Sequence, residues 1–195
     1  DLDAYPSITL GSEEVTVREM AQAYATIANG GTKREATCIQ EIKDSTGITI
    51  FKADTTGEKT LDTALTQAAT EVMEGVVTNG TGRGAALSSG QPVAGKTGTS
   101  EAWRDKWFCG ITPQISVAIW IGGREEVTMP SYVAADSVFG DFVGDYLSGE
   151  PIERFPTSDE TLQYDKTDIG LGTGGTGVED EAPEHEGEAA KPSTS

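Results

Sequence analysis

The segment between Val93 and Ile121 constrains the fold more than any other part of the chain. Only Thr112-Pro113-Gln114 separates its last two strand-like stretches, and proline beside polar residues in so short a link is typical of a tight turn. Because such a turn reverses the chain at once, we predict antiparallel strands. The three predicted strands are Val93 to Thr99, Lys106 to Ile111 and Ile115 to Ile121.

A helix and a hairpin are predicted near the start of the chain. Thr16 and Glu19 have the spacing of a capping box ahead of an amphipathic stretch, which predicts a helix from about Val17 to Ala28. The stretch "EATCIQEIKDSTGITIFKAD" then alternates polar and apolar residues around a Ser-Thr-Gly turn. This alternation is typical of a β-hairpin.

Two further helices complete the predicted fold. Asp62 is a good N-cap, and apolar residues recur from Leu65 to Val77 at the i, i+3, i+4 spacing of one helix face. The third helix covers about Ala134 to Ser148, with its larger apolar residues on one side: Val138, Phe139, Phe142, Val143, Tyr146 and Leu147. Helices combined with hairpin-linked strands predict an α+β fold, with helices packed on an antiparallel sheet.

Charge and residue usage exclude several classes of function. The formal net charge of −18 repels nucleic-acid phosphates, so we expect no nucleic-acid partner. The one histidine, His185, lies in an acidic stretch where nothing apolar would position it, so we expect neither a histidine-based catalytic site nor a metal site. Cys38 and Cys109 lie in strand-like stretches without close spacing and are predicted to be buried free thiols. No cofactor is implied.

The composition changes at about Asp165. From Asp165 onward the chain is rich in glycine, carries eight acidic residues against two basic ones, and has almost nothing to bury. We predict a folded domain over residues 1–164 and a disordered Gly-rich acidic tail over residues 165–195. The apolar runs are short, so we expect no membrane-spanning segment and no signal peptide within this sequence.

The stretch "GQPVAGKT" permits two interpretations. Gly90, Gly95, Lys96 and Thr97 match the P-loop spacing G-x-x-x-x-G-K-[ST], which would indicate a nucleotide binder. A P-loop needs a buried strand before it and a helix after it, and neither pattern is present. Pro92 also removes one of the amide donors that phosphate binding would use.

The alternative interpretation is an edge strand from Val93 to Thr99. Ideal alternation places Thr97 and Thr99 on one face and Lys96 and Gly98 on the other, while strand twist lets Lys96 reach the same cleft. A cation, two hydroxyls and free edge amides suit a carboxylate-bearing peptide that adds to the sheet. An ordinary edge strand with a solvated lysine remains the simpler alternative.

The stretch "AGKTGTSEAWRDKWFCGITP" resembles the third motif region of penicillin-binding protein transpeptidases, especially the bifunctional class A enzymes. The resemblance extends to "YPSITLGSEEVTVREMAQAYATIANGG" and "GVVTNGTGRGAAL" and covers about Tyr5 to Gly149. It implies part of the penicillin-binding transpeptidase or β-lactamase-like fold. It also implies D,D-transpeptidation in cell-wall cross-linking, with peptidoglycan stem peptides and β-lactams as ligands, at the outer face of the cytoplasmic membrane.

The resemblance also implies roles for four residues. Lys96 would support proton transfer and the electrostatics of the cleft. Thr97 and Thr99 would hold the carboxylate of the substrate or β-lactam, and Gly98 would give clearance for it. The backbone N–H of Thr99 would donate to the oxyanion.

The sequence departs from this family at the nucleophile. No serine has lysine three residues later or asparagine two residues later, so the S-x-x-K and S-x-N motifs are both absent. We therefore interpret the chain as the C-terminal part of a transpeptidase domain, whose partner would be the missing N-terminal part, and expect no catalysis by this chain alone. A non-catalytic peptidoglycan-binding or scaffold module is the second hypothesis, and a P-loop nucleotide binder is the third.

Overall fold

Three helices and seven short strands form the described part of the chain. A computed structural model describes residues 7–8, 11, 13–125 and 127–157, so the predicted tail over 165–195 lies outside the described residues. The helices are α1 (Val17–Ala28), α2 (Thr63–Thr78) and α3 (Ala135–Tyr146). The strands are β1 (Thr32–Lys33), β2 (Glu41–Lys43), β3 (Thr49–Lys52), β4 (Glu58–Lys59), β5 (Ala94–Thr99), β6 (Asp105–Ile111) and β7 (Ser116–Gly122).

The main sheet has three antiparallel strands in the order β5-β6-β7. Its strands match the three that the sequence predicts, and the tight turn after β6 is closed where the Thr112 amide donates to the Ile115 carbonyl at 2.8 Å. Strands β2 and β3 form the predicted hairpin, and β1 pairs with β4. The predicted α+β class, with helices packed on an antiparallel sheet, is therefore confirmed.

Helices cover both faces of this sheet. Phe108 of β6 meets Phe139 of α3 edge-to-face, with ring centroids 5.0 Å apart, and both rings are fully buried. On the opposite face, the Ser116 hydroxyl donates to the Ala21 carbonyl of α1 at 2.8 Å. The α1 capping box forms as predicted, since the Thr16 side chain and the Glu19 side chain each bind the other's backbone amide. No helix in the described ranges is long and apolar enough to cross a membrane.

The buried face of α2 matches its apolar face only in part, since Val77 is buried as the periodicity predicts. Thr66 and Thr70 are buried, whereas Leu65 is 52% exposed and Val72 is 73% exposed. Each buried threonine hydroxyl donates to a backbone carbonyl one turn back, which satisfies the polar group inside the fold. The apolar flank of α2, which we define by Leu65 and Val72, is therefore left without a cover in the described residues.

The predicted apolar side of α3 is only partly buried. Phe139 and Val143 are fully buried and Leu147 nearly so, while three other members of the predicted set are exposed: Val138, Phe142 and Tyr146. One helix packed on one sheet buries a single stripe, and α3 carries more apolar residues than that stripe can hold.

The prediction for the two cysteines was half wrong. Cys109 lies in β6 and is buried, but Cys38 lies outside any strand and is exposed. The alternation that placed Cys38 in a strand belongs to a hairpin that begins only at Glu41. Burial raises the pKa of Cys109 to about 11.

We expect these thiols to react very differently with an alkylating agent at pH 8. The thiolate is the reactive form, so exposed Cys38 is modified and Cys109 is protected by burial and by its raised pKa. Mass spectrometry should find one modified cysteine in the native chain and two after denaturation, and Cys38→Ser should reduce the native value to zero. Rapid modification of Cys109 in the native chain would contradict its burial.

The raised pKa of Cys109 also makes the stability of the fold depend on pH. The folded-state pKa of Cys109, about 11, lies above the ordinary thiol value of 9.0, so the folded state holds this proton more tightly. Its contribution to stability is fully present below pH 9 and is lost as the pH rises toward 11.

Candidate active site

Strand β5 presents two chemically distinct faces. Thr97 and Thr99 lie opposite Phe108 and Lys106 of β6, so they share the face that packs toward α3. Lys96 and Gly98 lie opposite Cys109 and Trp107 on the other face. The alternation predicted from the sequence is therefore the one observed.

The register also identifies which backbone groups of β5 do not bond to β6. The Ser100 amide donates to the Asp105 carbonyl at 3.1 Å, which makes these two residues a hydrogen-bonded pair. In an antiparallel ladder such pairs alternate with non-bonded ones, so Gly98 and Lys96 bond to β6 while Thr97 and Thr99 do not. The N–H and C=O groups of Thr97 and Thr99 therefore point to the free edge of the sheet.

The Lys96 ammonium lies beside this free edge. Its Nζ donates to the Thr97 carbonyl at 2.9 Å and lies 3.4 Å from the Thr97 hydroxyl, so the side chain reaches around the strand from the opposite face. On its other side the Thr97 hydroxyl is 2.7 Å from the hydroxyl of Thr81, in the loop that follows α2. The result is one cation and two hydroxyls in a continuous row.

Gly98 lies in a close contact between two strands. A Cβ atom at this position would come within 3.1 Å of the Cβ of Trp107, which is tighter than most side-chain contacts. The Trp107 ring is in turn tilted against Trp120, with centroids 6.4 Å apart. The Trp120 indole N–H donates to Asp105 at 2.9 Å, which fixes this aromatic pair at the end of the sheet.

The P-loop interpretation is wrong. Lys96 and Thr97 lie in the middle of strand β5, which continues to Thr99 and is followed by a single short helical turn at Glu101–Trp103. No α-helix begins directly after the lysine, so the set of free helix N-terminal amides that binds phosphate in a P-loop does not form here.

Two contacts of this region were not predicted from the sequence. The hydroxyl pair of Thr81 and Thr97 joins residues on separate elements, and no local pattern marks it. Lys106, opposite Thr99, donates to three backbone carbonyls of the loop before α3. Its position on the buried-face side of β6 was the one available signal, because a lysine is unusual there.

Comparison with known protein families gives a direct match. Residues 4–142 match the family described as "Penicillin binding protein transpeptidase domain". Among curated proteins, penicillin-binding protein 2D of Bacillus subtilis is 33% identical over 184 residues, which cover 89% of this chain and 26% of that protein. Penicillin-binding protein 1A of Mycolicibacterium smegmatis is 31% identical, over 80% of this chain and 22% of that protein. The chain thus spans about a quarter of the length of these relatives.

Solved structures are also similar to most of this chain. The penicillin-binding protein PonA1 of Mycobacterium tuberculosis superimposes with a TM-score of 0.69 at 27% identity, over 81% of this chain and 49% of that one. The structure of PonA1 in complex with penicillin V gives a TM-score of 0.69 at 30% identity, over 79% and 44% of the two chains.

Proposed function

Because the chain belongs to the penicillin-binding protein transpeptidase family, we propose that it supplies the substrate-binding strand of a peptidoglycan D,D-transpeptidase that cross-links the cell wall. The observation that carries this proposal is the edge of strand β5. There the Lys96 ammonium lies 3.4 Å from the Thr97 hydroxyl, next to backbone groups that the sheet leaves unpaired. A ligand with a carboxylate and an extended backbone can pair with the ammonium and bond to the free backbone groups at the same time.

Each residue of this edge has a distinct role in the proposed reaction. Lys96 stabilises negative charge in the cleft and supports proton transfer. The hydroxyls of Thr97 and Thr99 bind the carboxylate of the stem peptide or β-lactam, while Gly98 leaves room for the ligand beside the strand. The Thr99 N–H, which the ladder leaves unpaired, donates to the oxyanion as the carbonyl carbon becomes tetrahedral.

The nucleophile has to come from outside this sequence, since S-x-x-K is absent. We propose that the partner is the remaining part of a transpeptidase domain and that this chain alone does not catalyse the reaction. The apolar flank of α2 supports this proposal, because Leu65 and Val72 stay exposed in a helix whose opposite side is packed. The relatives' greater length is consistent with such a partner.

We further propose the place where this activity occurs and its inhibitors. The penicillin V complex of PonA1 supports β-lactam binding by this chain, and we propose that strand β5 is the place where it occurs. The proposed substrate lies in the cell envelope, at the outer face of the cytoplasmic membrane, so the proposed reaction takes place there. The folded region over residues 1–164 would carry the function, with the acidic segment over 165–195 outside it.

A non-catalytic peptidoglycan-binding module is the second candidate. The observation that favours it is the lack of both S-x-x-K and S-x-N in a chain that keeps the carboxylate-binding edge. Such a module would bind stem peptides but would not be acylated by penicillin.

The two candidates are separated by labelling the envelope of the source cell with a fluorescent penicillin, alongside an immunoblot against this segment. The transpeptidase proposal expects a labelled band much larger than the calculated 20.5 kDa. An unlabelled band near 20.5 kDa that binds stem peptide would instead support the non-catalytic module.

A further inference from the structure

Lys106 lies directly beside the proposed carboxylate-binding edge. It is the register partner of Thr99, in a pair that exchanges no ladder hydrogen bonds, and the two side chains share one face. In such pairs the Cα atoms are only about 4.5 Å apart, closer than in bonded pairs. The Lys106 side chain therefore leaves the sheet beside that of Thr99.

The Lys106 ammonium holds the loop between β7 and α3. It donates to the carbonyls of Val133 at 2.7 Å, Pro130 at 3.0 Å and Ser131 at 3.4 Å. A lysine ammonium has three N–H donors, so these three acceptors can use its full capacity. The ammonium also lies 5.4 Å from the centre of the Trp103 ring, an additional favourable contact for a cation.

Two further contacts fix the ends of this loop. The Met129 amide donates to the Trp103 carbonyl at 2.7 Å. At the other end, Asp136 of α3 accepts from the Gly84 amide at 2.9 Å. Between these ends, residues 130–134 form neither helix nor strand, and the Lys106 side chain donates hydrogen bonds to three of their carbonyls.

We propose that Lys106 is a positioning residue for the transpeptidase site. Its ammonium draws the loop that contains Pro130–Val133, which we call the β7–α3 loop, against β6 beside Thr99. The loop then forms a fixed wall of the cleft and limits where the carboxylate-bearing ligand can lie. This inference rests on the proposed function, because it assigns the wall to the same ligand site.

The test measures penicillin acylation in the native polypeptide that contains this sequence. Lys106→Met keeps the aliphatic stem but removes the charge and all three donors, so the loop loses its central attachment. We expect the dissociation constant of the initial penicillin complex to rise by about 5- to 10-fold, the size of effect usual for residues that act without touching ligand. The first-order acylation rate constant should change less than about 2-fold, because Lys106 does not touch the reacting atoms.

Hydrogen exchange reports the attachment itself without any ligand. In Lys106→Met the amides of residues 131–133 should exchange faster, whereas those of β7 should not change. Lys106→Arg, which keeps charge and donors, should restore part of the affinity. Lys52→Met serves as a matched control, because Lys52 is exposed on the β2–β3 hairpin, and it should leave both measurements unchanged.

The outcomes separate this inference from the proposed function. If the wild-type protein takes no penicillin, the proposed function and the role of Lys106 in it are both overturned. If the wild-type protein is acylated but Lys106→Met has an unchanged dissociation constant, the positioning role alone is overturned. Should Lys106→Met not fold, Lys106→Gln replaces it in the same comparison. Its two N–H donors cannot serve three carbonyls, so a smaller change in exchange and affinity is expected, and no change in either would reject the role.

Discussion

Replacing Lys96 with methionine in the native polypeptide is expected to slow penicillin acylation by about 100- to 1,000-fold, the usual cost of removing one stabilising group from a preorganised site. Methionine has a similar length and no charge, so the loss isolates the ammonium beside the Thr97 hydroxyl. The ligand carboxylate would lose its cationic neighbour, and negative charge that develops in the reaction would lose its stabilisation.

The acylation measurement needs two comparisons. Lys52→Met removes an exposed lysine from the β2–β3 hairpin and should be acylated at the wild-type rate. The far-ultraviolet circular dichroism of Lys96→Met should equal that of the wild type, because Lys96 is exposed and donates to atoms of the neighbouring Thr97. A Lys96→Met rate within threefold of wild type would remove Lys96 from the proposed mechanism.

The second large effect is expected on stability. Phe139→Ala should reduce the free energy of unfolding by about 3–5 kcal/mol, the range measured for buried phenylalanines that leave a cavity. Phe139 is fully buried, contacts Phe108 edge-to-face, and closely approaches Gly110. The neighbouring backbone of β6 is held by ladders on both sides, so it cannot easily collapse into the space.

Phe142 on the same helix provides the matched control. Its side chain is 51% exposed and stacks on Tyr146, so Phe142→Ala should cost about 1 kcal/mol, mainly from that aromatic contact. Urea unfolding, monitored by tryptophan fluorescence, would give the free energy of unfolding of each variant. The two values can be compared if the free energy falls with urea concentration at the same slope in both variants. Similar losses for both variants would show that the core is not centred on the contact between Phe108 and Phe139.

Local patterns predicted most of the fold because they report local physics. The capping box at Thr16 and Glu19 placed the start of α1, and the short turn after Ile111 determined the antiparallel pairing of β6 and β7. The alternation along β5 correctly separated Thr97 and Thr99 from Lys96 and Gly98. Strand period and helix caps depend on a few neighbouring residues, so one sequence is sufficient to recognise them.

Contacts between distant elements could not be predicted in the same way. The periodicity of α2 correctly predicted that Val77 is buried, but it also included exposed Leu65 and Val72 and missed buried Thr66 and Thr70, because the position of a helix is set by its neighbours. Two sets of hydrogen bonds likewise depend on elements that meet only after folding. They are the bond between Thr81 and Thr97 and the bonds from Lys106 to the loop carbonyls. Residue types gave no sign of the first contact, and the only sign of the second was the unusual position of a lysine on the inner face of β6.

The contact between the Lys96 ammonium and the Thr97 carbonyl has a consequence for how a peptide would be recognised. That carbonyl points to the free edge of β5, so it is the oxygen that an added strand would use first. A carbonyl oxygen has two lone pairs, and the ammonium occupies one of them. A peptide N–H that binds this edge and the Lys96 ammonium would therefore share the Thr97 carbonyl oxygen as their acceptor. Binding of the peptide backbone would thereby also place the positive charge close to the peptide's carboxylate.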